Sequence, residues 1–192
     1  MNEQVWWYVA RSGGIVALLL AGASVIWGLL LSSGFLDRNP PKRWLAGLHQ
    51  WLGGLTVCFT GVHLLGLWLD GFVSYTFADL FVPFVSDQAP GMVATAWGIV
   101  AFYLLVAVQG TSLLMKRLPR RWWRAVHLSS FGLLVAGVVH GAMAGTDATN
   151  PVYLAGVAVM SLTTVFLTTY RVLMRRPRTH HGTKVGSSRG VG

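Results

Sequence analysis

Charge is what this sequence has least of. Lysine, arginine, aspartate and glutamate make up 11% of its 192 residues, against about a quarter in an ordinary soluble domain. Only six residues are acidic. None of them lies inside a long apolar run, so a cation buried there has no carboxylate companion. Cysteine occurs once, as Cys58. A single thiol forms no intrachain disulfide and, alone, no metal site. Cys58 reads as a buried, small apolar core residue, so any redox chemistry must come from something other than thiols. No Gly-x-Gly-x-x-Gly turn is present to bind a dinucleotide.

Apolar residues are what the chain has in abundance, at 54%. Uncharged stretches run from Gly13 to Leu36, Trp44 to Leu69, Gly91 to Met115, Ala125 to Thr146 and Val152 to Tyr170. Each has about the 20 residues that carry a helix across a hydrocarbon core. The expected fold is all-α: an integral membrane bundle of five transmembrane helices. Residues 1–174 form one membrane domain in this reading, and residues 175–192 a basic disordered cytoplasmic tail. Five spans leave no room for a soluble catalytic domain.

The few charges are unevenly placed. Arg38, Lys42 and Arg43 follow the first span, and Lys116, Arg117, Arg120, Arg121 and Arg124 follow the third. Arg171 and the tail residues Arg175, Arg176, Arg178, Lys184 and Arg189 follow the fifth. Fourteen of the fifteen basic residues thus fall on one side, with Arg11 the exception, while five of the six acids fall on the other. The positive-inside rule then puts the N-terminus outside and the C-terminus in the cytoplasm. The net charge of +9 is explained by orientation and contact with anionic membrane lipid, and no nucleic-acid partner is expected. Residues 1–10 lack a basic n-region and the first apolar run is too long for a signal peptide, so the first span is expected to be retained.

The connections read as turns. Asn39-Pro40-Pro41 ends the first helix, and Leu118-Pro119-Arg120-Arg121-Trp122-Trp123 makes a second turn with aromatic anchors on the cytoplasmic side. Asn150 is placed to cap the last helix, with Pro151 in its first turn. Residues 70–90 interleave Phe72, Tyr75, Phe77, Phe81 and Phe84 with polar residues. This outer segment is either a lid over a site or an interfacial connector, and the connector is the favoured reading. His180 and His181 sit in the tail and read as solvated.

The remaining four histidines carry the functional signal. His49 and His63 lie fourteen residues apart in the second span, and His127 and His140 thirteen apart in the fourth. Histidine inside a membrane helix usually serves a ligand, a proton or an ion. The second and fourth spans run in the same direction, so His49 matches His127 in depth and His63 matches His140. At 1.5 Å per residue the two levels stand roughly 20 Å apart. Fourteen residues return to nearly the same helix face, whereas thirteen miss by about 140°. The fourth span therefore needs a tilt or kink, expected near Gly132 or Gly137.

Zinc would gather its ligands at one point, often with cysteine or carboxylate. Ligands split between two depths suit two haems, each held by two imidazoles, with His49 and His127 on one iron and His63 and His140 on the other. No Cys-x-x-Cys-His motif exists, so these are haem b, bound without covalent attachment. Gly53, Gly54 and Gly61 on one span and Gly132, Gly137 and Gly141 on the other would leave space for a flat macrocycle, though glycine also serves close helix packing. Arg11, near the outer end of the first span, either meets haem propionates or an anionic acceptor, or snorkels to the interface.

With His49-x13-His63, His127-x12-His140 and the stretch from Arg120 to Asp147 in view, the chain resembles the ferric reductase-like transmembrane domain. That domain is found also in NADPH oxidases and in the haem-binding subunit of a periplasmic methionine sulfoxide reductase system. The resemblance covers roughly residues 5 to 175. Two features depart from the oxidase-type members, which have six spans and a cytoplasmic flavin and nicotinamide domain. The resemblance implies a membrane cytochrome b in a bacterial inner membrane, an oxidoreductase component that carries electrons across the bilayer. Its donor would be a separate cytoplasmic flavoprotein or quinol, with flavin or quinone bound at either face and an electron acceptor outside. One alternative is a one-haem subunit serving a periplasmic reductase such as methionine sulfoxide reductase. The other is a haem-free transporter or scaffold with a histidine proton relay.

Overall fold

A computed structural model describes residues 4–33, 42–71, 73, 75–88 and 90–174. The Asn39-Pro40-Pro41 turn and the tail with His180 and His181 lie outside the described residues. No strand occurs among the described residues. The elements are α1 (Gln4–Ser33), α2 (Lys42–Leu69), α3 (Phe77–Phe81), α4 (Met92–Leu113), α5 (Arg120–Leu128), α6 (Ser130–Ala144) and α7 (Pro151–Leu173). Five helical stretches are long and apolar enough to cross a membrane, with α5 and α6 together making the fourth.

The apolar runs explain where the helices lie, and local chemistry explains where they end. Asn150 accepts hydrogen bonds from the backbone N–H groups of Val152 and Tyr153, which caps α7 ahead of Pro151. Gly91 precedes α4 with φ of 110°, a conformation costly for any residue with a Cβ. Thr76 and Asp79 cap each other reciprocally and start α3, a single turn in the segment between α2 and α4.

Two boundaries differ from the sequence reading. The first helix begins at Gln4, nine residues ahead of Gly13, and takes Arg11 into its body. Arg11 was expected near the outer end of the span, meeting haem propionates or an acceptor or snorkelling to the interface; its guanidinium is instead neutralised by a protein carboxylate. It donates from Nε to Asp147 Oδ2 at 2.6 Å and from Nη2 to Oδ1, and it lies over the Trp7 ring at 4.9 Å. The second difference is the interruption of the fourth span at Ser129, not at Gly132 or Gly137. There the Ser129 N–H bonds the Val126 carbonyl three residues back, and its hydroxyl bonds the same oxygen at 2.6 Å. A serine that recaptures a carbonyl in this way tightens the turn and redirects the axis.

Packing is pairwise. α1 lies along α2, α4 lies along α6, and α1 also touches α6 and α7. The α1–α2 seam is closest at small residues: a Cβ on Gly66 would stand 2.6 Å from the Ala10 nitrogen, and one on Gly13 would stand 3.1 Å from the His63 nitrogen. Such residues let membrane helices approach closely. By contrast, α2 and α6 make hardly any close backbone approach. Between them the histidines of α2 face one histidine of α5 and one of α6. Cys58, expected in the core, is instead exposed on α2.

Candidate functional site

The four histidines meet as two pairs. His49 faces His127 with ring centroids 5.9 Å apart and ring planes inclined by 72°. His63 faces His140 at 6.2 Å and 74°. No three His, Cys, Asp or Glu side chains converge into a metal cluster among the described residues. Two imidazoles bound through one nitrogen each to opposite sides of a metal, with bonds of about 2 Å, hold their centroids roughly 6 Å apart. Both pairs have that separation.

Each ring is fixed from behind by a neighbouring helix. His63 donates its Nδ1–H to the Ala10 carbonyl at 2.6 Å, and His140 donates its own to the Ala94 carbonyl at 2.8 Å. A carbonyl oxygen only accepts, so Nδ1 carries the proton in both rings and Nε2 keeps its lone pair free for a metal. His49 Nδ1 lies 3.3 Å from the Ser24 hydroxyl, and His127 Nδ1 lies 3.4 Å from that of Ser112. Thus α1 backs both histidines of α2, and α4 backs those of α5 and α6. Partners of this kind orient ligand rings and raise their basicity.

Three glycines make room for the rings. A Cβ on Gly14 would come 2.9 Å from His63 Nδ1, one on Gly28 would come 3.2 Å from His49 Cε1, and one on Gly98 would come 2.8 Å from the His140 ring. These positions were not picked out by the sequence reading, which looked for glycine on the histidine-bearing spans. Of those glycines, Gly137 and Gly141 line the cavity described next, while a Cβ on Gly54 or Gly61 would meet nothing within 4 Å. The missed signal is a spacing. Ala10 and Ser24, and likewise Gly14 and Gly28, stand fourteen residues apart, as do His49 and His63.

A cavity of 440 Å³ opens at the His63–His140 level, lined by both rings together with Thr56, Thr60, Gly137 and Arg11. Val73, Tyr75, Leu80 and Pro90 complete its wall, so the segment between α2 and α4 encloses the cavity as well as connecting two spans. It also packs on α4: Phe81 meets Phe102 at 5.6 Å, and the Tyr103 hydroxyl bonds the Phe81 carbonyl. Outside the spans, the hydrogen bond from Arg11 holds the Asp147 carboxyl below its ordinary pKa. The Thr76 hydroxyl does the same for Asp79, and burial pushes the Tyr75 phenol up. At the other level, Trp123 stacks on His127 at 5.0 Å with the rings 25° apart.

The ring separations of both pairs are those of two imidazoles on opposite sides of one metal, and the cavity beside His63 and His140 gives room there for a planar group. A family model described as a ferric reductase like transmembrane component matches residues 13–138. The match takes in His49, His63 and His127 and stops two residues before His140. No curated protein and no solved structure matches the chain.

Proposed function

The chain belongs to the ferric reductase-like transmembrane family, and from that premise we propose that it is a membrane cytochrome b with two bis-histidine haems. The family generally binds haem and works with other redox subunits. The observation that carries the two-haem reading is the repeated pair geometry, 5.9 and 6.2 Å, at two levels of one helix pair.

In this reading His49 and His127 hold one haem by Nε2, and His63 and His140 hold the other. Haem supplies a reversible one-electron couple of iron. The protein does the rest. Ala10, Ala94, Ser24 and Ser112 hold each ring in a fixed orientation, so little rearrangement accompanies a change in charge at the metal. Gly14, Gly28 and Gly98 let α1 and α4 press against the imidazoles. The Arg11–Asp147 pair ties α1 to the α6–α7 connection beside one level.

We place the Arg120–Arg124 end of the bundle in the cytoplasm and the Asp147 end outside, following the positive-inside rule, in a bacterial inner membrane. The basic cytoplasmic ends then dock a flavoprotein or quinol donor, and electrons pass to an acceptor outside. A one-haem subunit serving a periplasmic reductase is the second reading. It is favoured by the 440 Å³ cavity, which engages His63 and His140 but neither His49 nor His127. The deciding test is a pyridine haemochrome assay on purified protein. Two haem b per chain is the expected value, a ratio near one supports the second reading, and a ratio near zero overturns both.

A further inference from the structure

The cavity beside His63 and His140 has two unlike ends. Toward the middle of the bundle its wall is apolar, with Ala21, Leu105 and Leu133. Toward the α6–α7 connection stand Arg11, Asp147 and Tyr153. Most polar side chains of this wall are already committed. Both imidazoles bond backbone carbonyls, and Thr56 and Thr60 donate to carbonyls of their own helix. Arg11 donates to both oxygens of Asp147. The Tyr153 hydroxyl is different. It has no hydrogen bond among the described residues, and its oxygen is not closed off by packing.

A glycine defines where that oxygen lies. The Asn150 cap starts α7 and sets Tyr153 in its first turn. A Cβ on Gly141 would stand 2.5 Å from the Tyr153 oxygen and 3.6 Å from Leu18 Cδ2. Gly141, Leu18 and Tyr153 all line the cavity, so the phenol oxygen stands at its wall, against the residue that follows His140. A hydroxyl there can donate to a group that fills the cavity. Haem b carries two carboxylates on its rim, and buried negative charge is costly without donors. The apolar end supplies none. At the other end the charges of Arg11 and Asp147 cancel, so a carboxylate meets a neutral donor there and not an uncompensated cation. Resting on the two-haem reading above, we propose that Tyr153 is a positioning residue whose hydroxyl donates to a carboxylate of the haem held by His63 and His140. Gly141 keeps the place of the oxygen clear.

The test is potentiometric titration of haem-loaded protein carrying Tyr153→Phe, Gly141→Ala or both changes. Phenylalanine keeps the ring and removes the donor. Alanine at position 141 keeps the donor but displaces it, because its Cβ would overlap the phenol oxygen. A carboxylate that loses its donor is less compensated and favours ferric iron. Each single variant is therefore expected to lower the ferrous-to-ferric ratio of one component at fixed potential about threefold to tenfold, with the other component unmoved. The moved component is the one that His63→Ala abolishes. The double variant should titrate like Tyr153→Phe alone, because without the oxygen the alanine fits. All shifts vanish when the protein is reconstituted with haem whose carboxylates are methyl-esterified. Shifts that persist with the ester, additive effects in the double variant, movement of the other component, or an unshifted Tyr153→Phe overturn the proposal while leaving the haem reading intact. Where Tyr153→Phe loses that haem, wild-type protein must fail to retain the ester haem as well, and retention of the ester overturns the proposal. Wild-type protein without haem overturns this inference and the proposed function together.

Discussion

The Nδ1 atom of His63 stands 2.6 Å from the backbone carbonyl of Ala10, across the closest seam in the bundle. A helix carbonyl moves only with its helix, so this bond ties the aim of the ring to the docking of α1 on α2. His140 is tied to α4 in the same way, while His49 and His127 meet serine hydroxyls at 3.3 and 3.4 Å. One level is thus set by backbone and the other by side chains that can be substituted.

That difference makes the pairing testable. His63→Ala and His140→Ala are expected to abolish the same redox component, and His49→Ala and His127→Ala the other, each leaving about half of the haem. Ser24→Ala and Ser112→Ala should shift only the second component and retain it. The check is haem quantitation with redox titration of each variant. Matching losses from His49→Ala and His140→Ala would contradict the pairing.

Glycine substitutions separate ring clearance from general packing. Gly14→Val and Gly98→Val drive side-chain atoms into His63 and His140. Overpacking of this kind costs about 1–3 kcal/mol where neighbours cannot yield. Both variants should lose the His63–His140 component, whereas Gly54→Val, in open space, should keep the wild-type spectrum. Equal haem content in all three would count against the clearance role.

Ring planes inclined by 72° and 74° predict a spectroscopic signature. Near-perpendicular imidazoles leave the two iron orbitals that interact with them nearly equal in energy. Low-temperature electron paramagnetic resonance of the oxidised protein should then show strongly anisotropic low-spin signals with the main feature at low field. A conventional rhombic spectrum would mean parallel rings and a different helix arrangement.

Acid should loosen the bundle through Asp147. Its pKa is depressed in the folded protein by the Arg11 hydrogen bond. Stability from this pair is therefore complete above the unfolded value of about 4 and is lost as pH falls through the lower folded value. Asp79 is depressed in the same direction and contributes a parallel loss. Thermal unfolding in detergent between neutral pH and pH 3 should show the decline, and Asp147→Asn should flatten part of it. An unchanged acid limb in that variant would assign the decline elsewhere.

Haem-loaded protein of these 192 residues should not be reduced by NADPH alone. A nucleotide-binding βαβ unit needs about 30 residues or more, and the connections between the spanning helices are shorter. Optical reduction should follow only after flavin, a flavin reductase or quinol is added. Fast reduction by NADPH by itself would refute the claim.

The five spans were legible because apolar runs this long seldom occur outside membrane helices. The matching depths of the histidines followed from counting residues along parallel helices. Three things were not legible. The pairing of Arg11 was missed because its partner, Asp147, lies 136 residues away, beyond the reach of local pattern. The break at Ser129 was placed at glycine instead, because flexible residues attract attention while a serine bonding back to Val126 looks ordinary in sequence. The glycines that matter most, Gly14, Gly28 and Gly98, lie on helices without a ligand, where only the repeated spacing of fourteen marks two of them.

The same spacing makes the two sides of the bundle mechanically unlike. On α1 the supports for the two rings are separated by as many residues as the rings themselves, so α1 and α2 mesh like a rack and a matching rack. A slip by one turn would disengage both rings at once. On the opposite side Ala94 and Ser112 stand eighteen residues apart, against thirteen for His140 and His127, and the fourth span is interrupted at Ser129, between its two histidines. There the supports of the two rings do not share one register. Changes that retune a single level should therefore accumulate on α4, α5 and α6, while α1 and α2 tolerate change only in concert.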